Sequence, residues 1–376
     1  MVLMGKSGLG RLQRALGLMS GTSMDGIDVA LIDTDGDRAL RHGPTASYAY
    51  PADIKAKLRA ALVDAKEIGS REARPGSLAE VERELTELNA AAVERFLDAS
   101  GIDKGQIELI GYHGQTVLHD PLHRLTVQLG DGRRLAEHTG IHVVYDLRAA
   151  DVAAGGQGAP LVPVYHRALA AGVPELPAAF LNIGGVANVT WIGRDGRMLA
   201  FDTGPGNALL DDWVLMHTGA AHDVGGALAA RGRVDEDALQ ALLTNNYFGK
   251  PPPKSLDRND FSSGPVTGLS LEDGAATLAA FTAAAVGRAR EHMPEEPRLW
   301  VVCGGGRKNK TLMSMIAASV ANAVVPAEAL GLDGDFIEAE AWAYLAVRSS
   351  LGLPITFPET TGAPAPMTGG ILLSPR

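Results

Sequence analysis

The sequence predicts an α/β protein of two lobes with a cleft between them. Three observations predict it. A strand–glycine turn–strand unit occupies residues 16–32, the same unit recurs at 179–192, and short apolar strands alternate with helical patterns around both. At roughly 150 residues per domain, a chain of 376 residues suggests two or three domains. Hydrophobic residues at 46% and charged residues at 21% match a globular protein able to bury a large core.

The first unit begins with Leu16 and Leu18 and resumes with Ile27, Val29 and Leu31, alternating with small or polar residues as a half-buried strand does. Between the strands lies Ser20-Gly21-Thr22-Ser23-Met24-Asp25-Gly26. Its glycines admit positive φ, its hydroxyls can donate, and its successive N–H groups can form an anion-binding nest. An ordinary hairpin turn has the same composition. Residues 77–97 carry apolar positions three and four apart and predict a helix, with Ser77 and Glu80 as a capping box. An apolar strand at 107–111 runs into His113-Gly114-Gln115-Thr116, and another is expected at 141–145. Asp151 to Pro160 reads as a glycine- and alanine-rich loop, with Arg148 close by, and 163–171 as a helix.

In the second unit the turn is Gly184 to Asn188. An apolar strand, 199–201, then ends at Asp202, before Thr203-Gly204-Pro205-Gly206-Asn207. A carboxylate at a strand end on a glycine turn is where α/β enzymes place a catalytic group, and phosphoryl transfer often uses one Asp to accept a proton. The alternative is an Asp that bonds its own turn. Helices are expected at 208–216, 271–292 and 336–351, a long loop at 249–268, and a strand at 300–302 running into Gly304-Gly305-Gly306.

Other classes are disfavoured. A net charge of −10 argues against a nucleic-acid partner, and no 18-residue apolar run predicts a membrane span. The single cysteine, Cys303, allows no internal disulfide and suits a reducing cytosol. Gly5-Lys6-Ser7 lacks the earlier glycine of a P-loop, and the ten histidines form no HExxH pattern, so no tightly held protein-ligated metal is expected. Residues 1–15 read as a basic, poorly ordered extension. Residues 16–165 form the N-terminal lobe, joined by part of the C-terminal tail, and 166–376 the C-terminal lobe.

Taken together and in order, Gly17 to Asp28, Gly114 to Thr116, Asp151 to Leu161, Asn182 to Gly185, Phe201 to Asn207 and Cys303 to Gly306 resemble the anhydro-N-acetylmuramic acid kinases across nearly the whole chain. The resemblance implies the two-lobed actin-like (ribonuclease H-like) fold, with a mixed five-stranded sheet in each lobe. It implies ATP with Mg²⁺, whose protein ligands stay unknown, a cytoplasmic location and a homodimer. The implied reaction is hydrolytic opening of 1,6-anhydro-N-acetylmuramic acid with phosphorylation of O6, part of peptidoglycan recycling. Asp202 becomes the general base. Nucleotide contacts are expected from Gly21, Thr22, Ser23, Met24, Asp25, Gly26, Ile27 and Asp28. Asn182, Gly184, Gly185, Gly204, Gly206, Asn207, Gly304, Gly305 and Gly306 complete that set. Sugar contacts are expected from Ser20, His113, Gln115, Asp151, Gly156, Gln157 and Glu338.

Overall fold

The computed structural model describes residues 10–21, 23–256 and 260–376. Thr22 and most of the N-terminal extension lie outside the described residues. The elements run β1 (Gln13–Met19), β2 (Gly26–Thr34), β3 (Leu40–Ala49), α1 (Ala52–Asp64), α2 (Leu78–Ser100), β4 (Leu109–Tyr112), β5 (Gln115–Asp120), β6 (Leu125–Leu129), α3 (Gly132–Thr139), β7 (His142–Tyr145), α4 (Ala149–Ala153) and α5 (Pro163–Leu169). They continue with β8 (Ala178–Ile183), β9 (Val186–Ile192), β10 (Met198–Pro205), α6 (Ala208–Thr218), α7 (Glu236–Leu243), α8 (Leu271–Ala289), β11 (Leu299–Cys303), α9 (Lys310–Val320) and β12 (Ala323–Pro326). Last come α10 (Ile337–Ser350), α11 (Pro358–Thr361) and β13 (Ile371–Leu373). No described helix is long and apolar enough to cross a membrane.

The chain divides into two compact units. Unit 1 runs to Ala171 and resumes at Phe336, and unit 2 is Gly172–Asp335. The sheet of unit 1 has the order β13-β7-β4-β1-β2-β3, and that of unit 2 has β10-β9-β8-β11-β12. In each, three antiparallel strands are followed by two parallel ones, the first strand lying at the centre. The duplication suggested by the two glycine hairpins is therefore a duplication of topology, with the strand order of a ribonuclease H-like unit repeated.

Unit 1 departs from the expected five strands. Among the described residues its sheet has six, because β13 pairs antiparallel with β7. Three apolar residues in a Pro- and Gly-rich tail are too short a run to announce a strand. Likewise β1 begins at Gln13, inside the stretch read as an extension. Arg14 closes a salt bridge to Asp33 on β2 at 2.8 Å and so holds that end of the strand.

The period of two places the residues of β1 on opposite faces. Leu16 and Leu18 enter a core with Leu58, Val81, Phe96 and Leu135 of α1 to α3. Gly17 faces α10 instead. A Cβ there would lie 1.8 Å from the Ala339 carbonyl oxygen, and one on Gly111 of β4 would lie 2.0 Å from that of Trp342. These two glycines let α10 seat directly on the sheet.

The expected capping box does not form. Ser77 precedes α2 but makes no side-chain cap. Its N–H and hydroxyl both donate to Asp64, at 2.8 and 2.7 Å, and hold that carboxyl below its usual range. A competing acceptor close in space overrides the local pattern.

Candidate functional site

In unit 1 the turn between β1 and β2 is held from beneath. Met24 takes a left-handed backbone (φ 56°), and its N–H donates to the Gly21 carbonyl at 3.1 Å. Gly26 is required by close approach, since a Cβ would lie 2.3 Å from the Tyr48 carbonyl oxygen on β3. Ser20 Oγ lies 2.8 Å from Gln115 Oε1 and 2.9 Å from the Tyr50 hydroxyl. Gln115 Nε2 donates to the Gly21 carbonyl at 3.1 Å. Ser20 and Gln115 are buried, at 4% and 1% exposure, and both ends of the Gln115 amide are engaged by this turn. The pair braces the turn from inside. Ile27 sits in the core and Met24 packs against it, so their main chains, not their side chains, are left for a ligand. Ser23 and Asp25 are exposed, whereas Asp28 is partly buried and accepts a hydrogen bond from Ser47.

His113 and the 151–160 loop form a second cluster in unit 1. His113 donates from Nδ1 to the Ser20 carbonyl at 3.1 Å and accepts from Arg148 Nη2 at 3.1 Å on Nε2. Burial and the Arg148 charge push its pKa down to about 3, so the ring is neutral in that tautomer. The ring lies 4.5 Å from the Trp342 ring, over which the Arg148 guanidinium also sits at 5.0 Å. Glu338, in the first turn of α10, is raised by burial and held down by the Arg148 charge, while Asp28 pushes it up again. Arg148, Glu338, His113 and Asp28 thus form one electrostatic neighbourhood.

Asp151 was expected to touch sugar, but it faces inward at 1% exposure. Its Oδ2 accepts from the Gly158 N–H at 2.7 Å and its Oδ1 from the Thr361 hydroxyl at 2.7 Å. With both oxygens bonded inside the protein, it shapes the loop. Gly156 is buried against that carboxylate, 2.3 Å from Oδ2 to where its Cβ would be, and the Gln157 N–H donates to the Thr361 carbonyl at 2.6 Å.

Unit 2 brings three glycine turns together. The carbonyls of Gly184 and Gly185 accept from the N–H groups of Asn207, Gly206 and Ala208 at 2.8, 2.9 and 3.2 Å. Asn207 opens α6 and donates from Nδ2 to the Ile183 carbonyl at 3.3 Å. Gly304 (φ 73°) turns beside Asn182, whose Oδ1 lies 2.4 Å from where a Cβ would be, and Gly306 beside Ile183 at 2.4 Å. Gly184, Gly185 and Gly305 keep open faces, a Cβ on them meeting nothing nearer than 3.7 Å. Open glycines at strand ends beside a helix N-terminus suit a polyphosphate. Arg307 braces the turn, donating to the Gly304 carbonyl at 2.9 Å and to Asp335 at 2.8 Å.

Asp202 lies inside β10, not at its end, at a bulge between Asp202 and Gly204. The bulge breaks the alternation and re-aims the side chain, as bulges beside active sites do. Gly204 lets α8 approach there, since its Cβ would lie 2.8 Å from Ala285 Cβ. The Asp202 carboxylate accepts from the Leu256 N–H at 2.8 Å. The main chain of Asp202 bonds the Lys254 carbonyl at 3.0 Å and the Tyr247 hydroxyl at 2.6 Å. Asp202 keeps an exposed edge, yet protein atoms crowd its carboxyl. Burial pushes it up from 3.8 to about 7, and the single Leu256 bond only partly offsets that. A carboxyl near neutrality can give up and regain a proton at physiological pH, which is what a general base requires.

Sequence reasoning missed Leu256, Tyr247, Tyr50, Trp342 and Thr361, and gave Arg148 no role. All act across long sequence separations, and none lies in a glycine string. Among the described residues no group of three or more His, Cys, Asp or Glu could hold a metal ion.

A family model described as anhydro-N-acetylmuramic acid kinase matches residues 13–374. The chain is 54% identical to a Methylobacterium nodulans protein of that name, over 96% of this chain and 100% of the relative. It is 55% identical to one from Rhodospirillum rubrum, over 95% and 93%. A solved ROK family glucokinase from Streptomyces griseus, in complex with glucose and AMPPNP, aligns over 89% of this chain and 99% of its own at 16% identity and a TM-score of 0.41. With the family's pattern spanning nearly every described element, the chain belongs to the anhydro-N-acetylmuramic acid kinase family and is a kinase of that kind.

Proposed function

We propose that this kinase couples hydrolysis to phosphorylation on 1,6-anhydro-N-acetylmuramic acid, in the recycling of cell-wall peptidoglycan. Water adds to C1 while the C1–O6 bond breaks. The released O6 takes the γ-phosphoryl group of ATP as the bond from phosphorus to the β-bridging oxygen breaks. N-Acetylmuramic acid 6-phosphate and ADP leave. The proton lost by water passes to Asp202.

One observation carries the reading: a crowded carboxyl with a pKa of about 7, fixed by a single N–H at the bulge of β10. Such a group is ionised often enough at neutral pH to serve as base, and is a stronger base than a solvated carboxylate. The open Gly184, Gly185 and Gly305 of unit 2 would take the nucleotide through main-chain N–H groups. Glu338 and Arg148 would face the sugar, with the neutral His113 fixing Arg148. Asp28, a partly buried carboxylate beside the β1–β2 turn, fits a Mg²⁺ carried by the nucleotide, because Mg²⁺ needs only one or two carboxylates besides phosphate and water. When bound, that ion would offset negative charge on the phosphate oxygens.

The test is Asp202→Asn, which keeps the acceptor for the Leu256 N–H. Product formation should fall at least about a thousandfold while nucleotide affinity, measured by calorimetry, stays within about twofold. Turnover near the parent's would remove Asp202 from the role of base.

A further inference from the structure

Helix α10 carries two stripes at four-residue spacing. Glu338 and Trp342 belong to the first, which meets Arg148 and His113. Glu340, Tyr344 and Arg348 form the second. Arg348 donates to the Gly36 carbonyl at 2.6 Å and the Tyr344 hydroxyl to the Asp37 carbonyl at 2.8 Å, so these later turns are lashed to the β2–β3 connection.

The first turn of α10 needs its own anchor. Its opening N–H groups have no partners one turn back, and Phe336 at the N-cap supplies no side-chain cap. Glu340 holds this turn. It is 1% exposed, and each of its carboxylate oxygens is engaged. Oε1 lies 2.7 Å from His42 Nδ1 on β3, and Oε2 accepts from the Tyr165 hydroxyl of α5 at 2.6 Å. A buried carboxylate is tolerated only with such partners, and bonds to a charged group are short and directional. Gly17 and Gly111 fix the depth of α10 on the sheet, while Glu340 fixes its rotation.

We infer that Glu340 is a positioning residue for Glu338, two residues earlier in the same turn, acting through its paired bonds to His42 and Tyr165. A slack first turn would let Glu338 swing away from Arg148 and lose its aim at the sugar. The inference rests on Glu338 as a sugar-side carboxylate.

Sugar and nucleotide dissociation constants would be measured by calorimetry for Glu340→Gln, Tyr165→Phe and Glu338→Gln, and for each of the first two combined with Glu338→Gln. Thermal melting checks that each variant is folded. His42→Gln, on the partly exposed side of the pair, replaces any of them that fails to fold. Glu340→Gln and Tyr165→Phe should each weaken sugar binding about tenfold, the worth of one charge-assisted hydrogen bond, with nucleotide binding unchanged. Neither should add to the loss already caused by Glu338→Gln. Additive losses in the double variants, or an unchanged sugar affinity in folded Glu340→Gln, would overturn the inference. If Glu338→Gln alone left sugar affinity intact, the sugar-side role of Glu338 would fall, and the inference with it.

Discussion

Replacing Asp202 by Asn should stabilise the protein by an amount that grows as pH rises from about 3.8 to about 7 and stays constant above that. In the unfolded chain this Asp titrates near 3.8, and in the folded protein near 7. Between those values the folded state holds a proton that the unfolded state has released. Stability therefore falls as pH rises through this window and levels off above about 7. A shift of about three units corresponds to about 4 kcal/mol, and water at the exposed edge of Asp202 reduces that to about 2 kcal/mol. Asn stays neutral throughout and still accepts from Leu256. At pH 8 Asp202→Asn should be about 2 kcal/mol more stable than the parent, and well below pH 3.8, where the parent is protonated both folded and unfolded, the two should match. Urea unfolding followed by tryptophan fluorescence reads this well, because Trp191, Trp213 and Trp300 all lie in the unit that holds Asp202. A stabilisation of equal size at both pH values, or destabilisation at pH 8, would refute the reasoning. A gain in stability with loss of turnover would mark Asp202 as a strained functional group.

Three other outcomes are expected. Between pH 5 and 7, kcat/KM should climb about tenfold per unit and level off above about 7, as a base with the titration of Asp202 requires; a flat profile would argue against it. Gly17→Ala should lower the stability of unit 1 by about 3 kcal/mol or more in thermal melting, because its Cβ would press on the Ala339 carbonyl; an unchanged melting temperature would contradict the seating of α10. Gly305→Ala should melt like the parent, its Cβ meeting nothing nearer than 4.0 Å, yet bind nucleotide about tenfold more weakly; unchanged affinity would take that turn out of the nucleotide site.

The parts of the fold legible in the sequence were those with strong local causes. The β1–β2 and β8–β9 hairpins follow from apolar alternation broken by glycine turns, α2 from long helical periodicity and α8 from its richness in alanine. Where a contact distant in the chain decides the outcome, local pattern failed. Asp64 captures Ser77 and removes the capping box. β13 exists only because β7 offers it an edge. The candidate site divides the same way. Glycine strings marked the turns of both units, since close backbone approach leaves a trace in residue choice. They did not say which polar neighbours point outward. Asp151 and Gln115 sit in the most distinctive strings and face inward, while Arg148, Trp342 and Leu256 reach their places from elsewhere in the chain.

Running the reaction in ¹⁸O-labelled water and weighing the product gives the most direct check on water as the attacking group. The account predicts a sugar phosphate heavier than its anhydro parent by one phosphoryl group and one water, with the heavy oxygen at C1. A phosphorylated sugar whose anhydro ring is intact, or label found in the phosphoryl group, would contradict it.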